Sequence, residues 1–208
     1  PRRGAPQSDS GVSSRCYSRI LEETGSDSSR GMIMYIGISN LPGEIDQASI
    51  SRFSMCIPFF YPQPREYSVL LNHMIVNKFG MTLDDDVDLD HCGDIFFEKR
   101  ISPRKLVDIA ADIKQKHNTD NNGCPVISQD EIQKTITFTI NNHNNRQIEK
   151  YTLQSIRMTS CYSYFPWVNN AGILNSEYKF QPFLKRFISP VTGEPDIDSI
   201  DDRLEEIK

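Results

Sequence analysis

The chain has 208 residues, 38% of them hydrophobic and 25% charged, and a formal net charge of -5. No apolar run approaches the roughly 20 residues of a membrane-spanning helix, and the acidic balance gives no footprint for nonspecific nucleic-acid binding, leaving only local basic patches open. Five cysteines, Cys16, Cys56, Cys92, Cys124 and Cys161, are odd in number and never spaced C-x-x-C; they argue against a disulfide framework and for a reducing, intracellular compartment, cytoplasmic or nuclear.

The chain begins PRRGAP, and residues 1–30 are rich in Ser, Gly, Arg and Asp. That composition reads as a flexible segment with a short helix over Tyr17–Thr24. Met32–Ile38 is a buried strand candidate, short and apolar and ended by Ser39-Asn40. Leu41-Pro42-Gly43 is a turn, because Pro presets φ and Gly accepts positive φ. Ile45–Phe53 reads as a short helix, and Ser54–Phe60 as a second strand closed by Tyr61-Pro62-Gln63-Pro64. A helix fits Arg65–Phe79, with Tyr67, Leu70, Leu71, Met74 and Ile75 on one face and Gly80 as its stop.

Asp84–His91 is acidic and opens another short helix. Ser102 and Pro103 start the clearest helix in the chain, as cap and first helical residue, and its stripe of Leu106, Val107, Ile109, Ala110 and Ile113 runs to His117. After the Asn-rich loop Asn118–Gly123, Ser128 and Glu131 have capping-box spacing. Thr135–Ile140 alternates Thr with Ile and Phe, a period-two strand signal, and Ile148–Met158 suits either a strand or a helix. Tyr162–Trp167 is an aromatic cluster holding the only Trp, read as core packing ahead of a stacking surface. Ile197–Ile207 carries Ile197, Ile200, Leu204 and Ile207 at helical spacing, so a terminal helix docked by one face is expected.

Taken together, residues 31–134 run as strand, polar Asn, Pro-Gly turn, Asp-x-Ala helix, Arg-Phe, strand, Pro-containing loop and a set of helices. This order resembles the second half of the nucleotide-binding module of AAA+ ATPases. The matching residues are Ser39-Asn40, Pro42, Ile45-Asp46, Ala48 and Arg52-Phe53. Leu83-Asp84-Asp85-Asp86-Val87-Asp88-Leu89 is similar to the opening of that family's helical lid, and Ser102-Pro103-Arg104-Lys105-Leu106 falls where the lid helix carrying the second sensor begins. The resemblance implies an α/β fold: the sensor strand and arginine-finger part of a parallel-sheet core over residues 31–64, a helical lid over 65–134, and a mixed C-terminal extension of unassigned role over 135–208.

It also implies roles. Asn40, at the end of its strand, would orient an attacking water or a γ-phosphate oxygen as the first sensor; the ordinary alternative is a turn cap. Arg52 would reach a neighbouring subunit's nucleotide as an arginine finger, against a plain surface Arg beside Phe53. Arg104 would bind phosphate as the second sensor, against a solvated helix-end Arg. The implied cofactors are ATP and Mg2+, and the implied partners are other subunits in a homo- or hetero-oligomer and a protein or nucleic-acid assembly to remodel.

Both cofactors are conditional, because no G-x-x-x-x-G-K-[ST] loop occurs and no apolar strand ending in Asp-Glu precedes Gly31. The chain alone is therefore expected not to hydrolyse ATP. Other constellations fail inspection. Asp84, Asp86, Asp88 and Asp90 are spaced like a calcium loop, but Leu89 and Ile95 stand where it needs Gly and Glu. The scattered histidines His73, His91, His117 and His143 have no metal-ligand spacing, and nothing in the sequence pairs His143 with Cys161 as base and nucleophile. A second reading of the same residues is a non-enzymatic interaction or structural subunit of a larger assembly, for instance a viral one, with the Asn-rich loops and aromatic C-terminal half as binding surfaces.

Overall fold

The computed structural model describes residues 12–25, 33–117, 125–140, 145–169 and 171–207. In chain order the helices are α1 (Val12–Gly25), α2 (Gln47–Ile50), α3 (Pro64–Asn72), α4 (Leu89–Glu98), α5 (Pro103–His117), α6 (Gln129–Ile140), α7 (Asn145–Met158) and α8 (Ile197–Glu206). Single 3-10 turns span Pro42–Glu44 and Tyr162–Tyr164, and a two-stranded sheet pairs β1 (Thr82–Leu83) with β2 (Val126–Ile127). The described residues fall into two compact units. One draws on Pro1–Phe59, Asn145–Ser176 and Arg186–Lys208, the other on Phe60–Asn144 and Glu177–Lys185.

The second unit is helical and built as the apolar spacing dictates. Tyr67, Leu71 and Ile75 lie four residues apart along α3 and its extension, and all three are fully buried. After Asn72 the helix widens into a π turn over His73–Lys78, and Gly80, at φ 65°, ends it. On α4 the face toward α3 is Cys92, Gly93 and Phe96. A Cβ on Gly93 would sit 2.3 Å from the Pro64 carbonyl oxygen and 2.5 Å from Ser68 Oγ, so only glycine lets the two backbones come this close. Tyr67 donates its hydroxyl hydrogen to the Ile101 carbonyl, which ties α3 to the turn ahead of α5. The helix expected from Ser102-Pro103 onward is α5, with the Lys105 N–H donating to Ser102 Oγ at 3.3 Å.

The parallel pair β1–β2 is in register Thr82↔Val126 and Leu83↔Ile127. It clips the segment after α3 to the start of α6, and Ile127 is fully buried beneath it. In α6 the Thr/Ile alternation of 135–140 misleads. Ile132 and Ile136 are buried one turn apart beside Thr135, while Phe138 is 84% exposed. Packing against α5 selects the helical period over the period-two pattern, and Thr135 and Thr137 return their hydroxyl hydrogens to the carbonyls of Glu131 and Gln133 at 2.9 and 2.8 Å.

In the first unit α7 resolves the ambiguity of 148–158 as helix. Leu153 and Ile156 are fully buried, and α8 is the expected terminal helix with Ile200 buried. Trp167 is fully buried, stacked on Phe165 at 4.6 Å between centroids, and donates Nε1–H to the Gly193 carbonyl at 2.8 Å. The aromatic cluster therefore packs a core. The strand candidates 33–38 and 54–60 belong to no helix and no ladder, and Met34, Ile38 and Phe59 are 85%, 95% and 93% exposed. An apolar run becomes a strand only where a neighbour completes its backbone hydrogen bonds, and among the described residues the single paired ladder is β1–β2. Residue 32 and most of 1–30 lie outside the described residues.

Two outcomes check this packing. Ile136→Ala should lower unfolding free energy by about 2–5 kcal/mol in urea titrations, while Phe138→Ala should change it by less than about 0.5 kcal/mol. Equal losses would mean that both residues share one buried face, as in a strand. Gly93→Ala should cost about 1–3 kcal/mol through overpacking against α3, and an unchanged urea midpoint would refute the close approach.

Candidate functional site

Asn40 ends the 33–38 run and sits in the bend before the 3-10 turn Pro42–Glu44, with its side chain exposed. The hydroxyl that closes this bend belongs to Ser39, whose Oγ accepts from the Leu41 N–H at 3.1 Å. The cap expected as the ordinary job of Asn40 is thus performed one residue earlier. Gly43 does not adopt positive φ. Its role is close approach, since a Cβ there would fall 2.1 Å from Gln154 Nε2 on α7.

Next along the chain, Asp46 caps α2 by accepting from the Ser49 N–H at 2.9 Å. It also accepts the Tyr17 hydroxyl hydrogen from α1, and Tyr17 Oη lies 2.7 Å from Ser49 Oγ. The Tyr17 hydroxyl, followed by the Ser49 amide, holds the Asp46 carboxyl below its usual range. The Ile45-Asp46 pair of the sequence motif is therefore a structural joint between α1 and α2. Tyr17 was invisible as its partner because the two are 29 positions apart.

Arg52 follows α2 on the surface. Its Nε donates to the Leu21 carbonyl at 3.0 Å and its Nη1 to the Ala48 carbonyl at 2.6 Å. Neutral carbonyls fix the direction of the guanidinium, and among the described residues no carboxylate forms an ion pair with it. A cation positioned by uncharged acceptors keeps its charge for a ligand.

Arg104 belongs to the second unit, whereas Asn40 and Arg52 belong to the first. It is exposed on the first turn of α5. A cation there opposes the helix dipole, so its charge does not serve the helix. Its neighbour Lys105 pairs with Asp108 at 3.6 Å.

Within the acidic stretch 84–90, residues 85–90 border a cleft of about 580 Å³ with Ser68, Val69 and Asn72. Three carboxylates of the stretch accept from the backbone: Asp84 from the Asp85 N–H at 2.8 Å, Asp86 from Gln129 N–H at 3.2 Å, and Asp88, which caps α4, from His91 N–H at 2.9 Å. Among the described residues no group of three or more His, Cys, Asp or Glu is placed to hold a metal ion. His143 lies outside the described residues.

Sequence reasoning also missed Glu149. Its carboxylate, 12% exposed, lies 2.8 Å from both Arg186 and Arg203. The Arg203 hydrogen bond, with Arg186 adding to it, holds the carboxyl below its ordinary value. A depressed carboxyl contributes stability that is present above the ordinary value of 4.5 and lost as pH falls through the depressed one. Glu149→Gln should therefore destabilise the chain by about 1.5–3 kcal/mol at pH 7, and the gap between variant and parent urea midpoints should close as the pH is lowered toward 3. A gap that stays constant would show that the ionised pair contributes nothing.

Among the described residues no helix is long and apolar enough to cross a membrane. The chain matches no known protein family, no curated protein and no solved structure.

Proposed function

We propose that this chain is the sensor, arginine-finger and lid part of an AAA+ ATPase, acting with a P-loop half to remodel a protein or nucleic-acid assembly. The observation that carries the reading is an order of parts. After the Asn40–Phe53 stretch and residues 54–59 the chain enters a separate helical unit with its own core, α3 to α6 closed by the β1–β2 clip. A small helical lid following the sensor and finger residues is what the resemblance implies.

Two further features support it. Arg52 is aimed by carbonyls and not neutralised by a carboxylate among the described residues, as a group acting on a phosphate in trans requires. The apolar runs 33–38 and 54–60, strands of a parallel sheet in this reading, leave Met34, Ile38 and Phe59 in solvent. A covered parallel sheet would bury them, so the reading requires added strands. In the assembled enzyme Asn40 would orient the attacking water, Arg52 would offset charge developing on the γ-phosphate of the neighbouring subunit, and Arg104 would hold a phosphate oxygen. ATP and Mg2+ would be bound chiefly by the P-loop half.

The test is ATP turnover by the native assembly recovered with this chain tagged. The isolated chain should turn over no ATP, and the assembly should. Arg52→Ala should reduce the assembly's kcat by about 10³-fold. Arg52→Lys, which retains a donor to the carbonyls, should separate loss of charge placement from loss of the α1 contact. An assembly without ATPase activity, or one indifferent to Arg52→Ala with its composition intact, would overturn the reading.

A further inference from the structure

The first unit brings two cysteines of distant sequence to one place. The Cys56 N–H donates to Ser160 Oγ at 2.8 Å, and the Cys56 carbonyl accepts from the Ser160 N–H at 3.3 Å. Cys161 is the next residue after Ser160. The backbone of Cys56 is thus bonded to the residue adjacent to Cys161, and a disulfide joins cysteines whose Cα atoms lie roughly 4.4–6.8 Å apart. Both thiols are free; Cys161 is exposed and Cys56 half-buried.

Their chemistry is not equivalent. Cys161 Sγ lies 3.1 Å from Ser163 Oγ, and the hydroxyl and amide of Ser163 lower the thiol's pKa. Cys161 is thus the better thiolate and the better first nucleophile. By contrast Cys92 is buried in the second unit, where burial raises its pKa, and it is shut off from solvent oxidants.

We propose that Cys56 and Cys161 form a redox modification site, oxidised to a disulfide by hydrogen peroxide. In the first step the Cys161 thiolate attacks a peroxide oxygen. An S–O bond forms, the O–O bond breaks, and hydroxide leaves and is protonated to water. In the second step the Cys56 sulfur attacks the sulfenic sulfur of Cys161, the S–S bond forms, the S–O bond breaks, and hydroxide leaves, taking up the Cys56 proton as a second water. Two thiols lose two electrons and the peroxide gains them.

The bridge would tether the segment carrying Met55, Ile57 and Phe59 to the chain just past α7. It stands on local geometry and is independent of the ATPase reading.

The test is a peptide map of the full reduced chain exposed to hydrogen peroxide at neutral pH, alkylated with N-ethylmaleimide and digested with trypsin without reductant. Cys56 and Cys161 fall on different tryptic peptides, residues 53–65 and 158–179. The expected result is one disulfide-linked pair of these peptides, at least about ten-fold above any other cysteine pairing, as proximity should favour it. Dithiothreitol should reverse it, and Cys161→Ser should abolish it with the circular dichroism spectrum unchanged. Cys56 left alkylated while Cys161 advances to sulfinic acid would overturn the proposal, as would a mixture of pairings without preference.

Discussion

Everything in the helical unit depends on how closely α4 lies on α3. Gly93 permits the approach, because any side chain there would meet the Pro64 carbonyl and the Ser68 hydroxyl. With the helices this near, Cys92 and Phe96 fill the space beside Tyr67, whose ring lies 5.8 Å from that of Phe96. The buried Tyr67 hydroxyl needs a partner, and the Ile101 carbonyl supplies it. That bond ties α3 to the turn ahead of α5, on whose exposed first turn Arg104 stands. A surface cation is thus positioned by a chain of contacts that begins at a missing Cβ.

The other unit is held by polar joints to a greater degree. Asp46 serves α2 as cap and α1 as acceptor, and Arg52 is tied to both helices through their carbonyls. Glu149 on α7 gathers Arg186 and Arg203 from the C-terminal segment. Such a partly buried carboxylate is stabilising only while both partners satisfy it. The same unit leaves the runs 33–38 and 54–60 without ladder partners among the described residues, so the part with the strongest local resemblance to an ATPase is also the part with the most exposed apolar surface. Under the proposed function these facts have one cause: residues that act across a subunit boundary are held by their own backbone and completed by another polypeptide.

The helices with a long apolar stripe were legible from residue spacing. The α3 face, α5 with its Ser102 cap, and α8 occupy nearly the expected positions, because spacing of three and four residues specifies both a helix and its buried side. Period-two signals were not decisive. Thr135–Ile140 joins α6, since Ile132 and Ile136 meet α5 only in a helix. The strand-like residues 33–38 and 54–60 join no ladder among the described residues, and β1 and β2, too short to carry a pattern, make the ladder instead.

The same division holds for the site. Sequence by itself determined the identities and order of Asn40, Arg52 and Arg104, the want of a phosphate-binding loop, and the cap at Ser102, all of which are local properties of the chain. Tertiary structure alone decided that Tyr17 meets Asp46, that carbonyls aim Arg52, that Glu149 holds two arginines, and that Cys56 lies beside Ser160 and so near Cys161. Apart from the Ala48 carbonyl, four positions from Arg52, those contacts join residues 29 to 104 positions apart. No local periodicity encodes such a pairing; it follows from which helix faces bury together and from the need to satisfy each polar group those faces enclose.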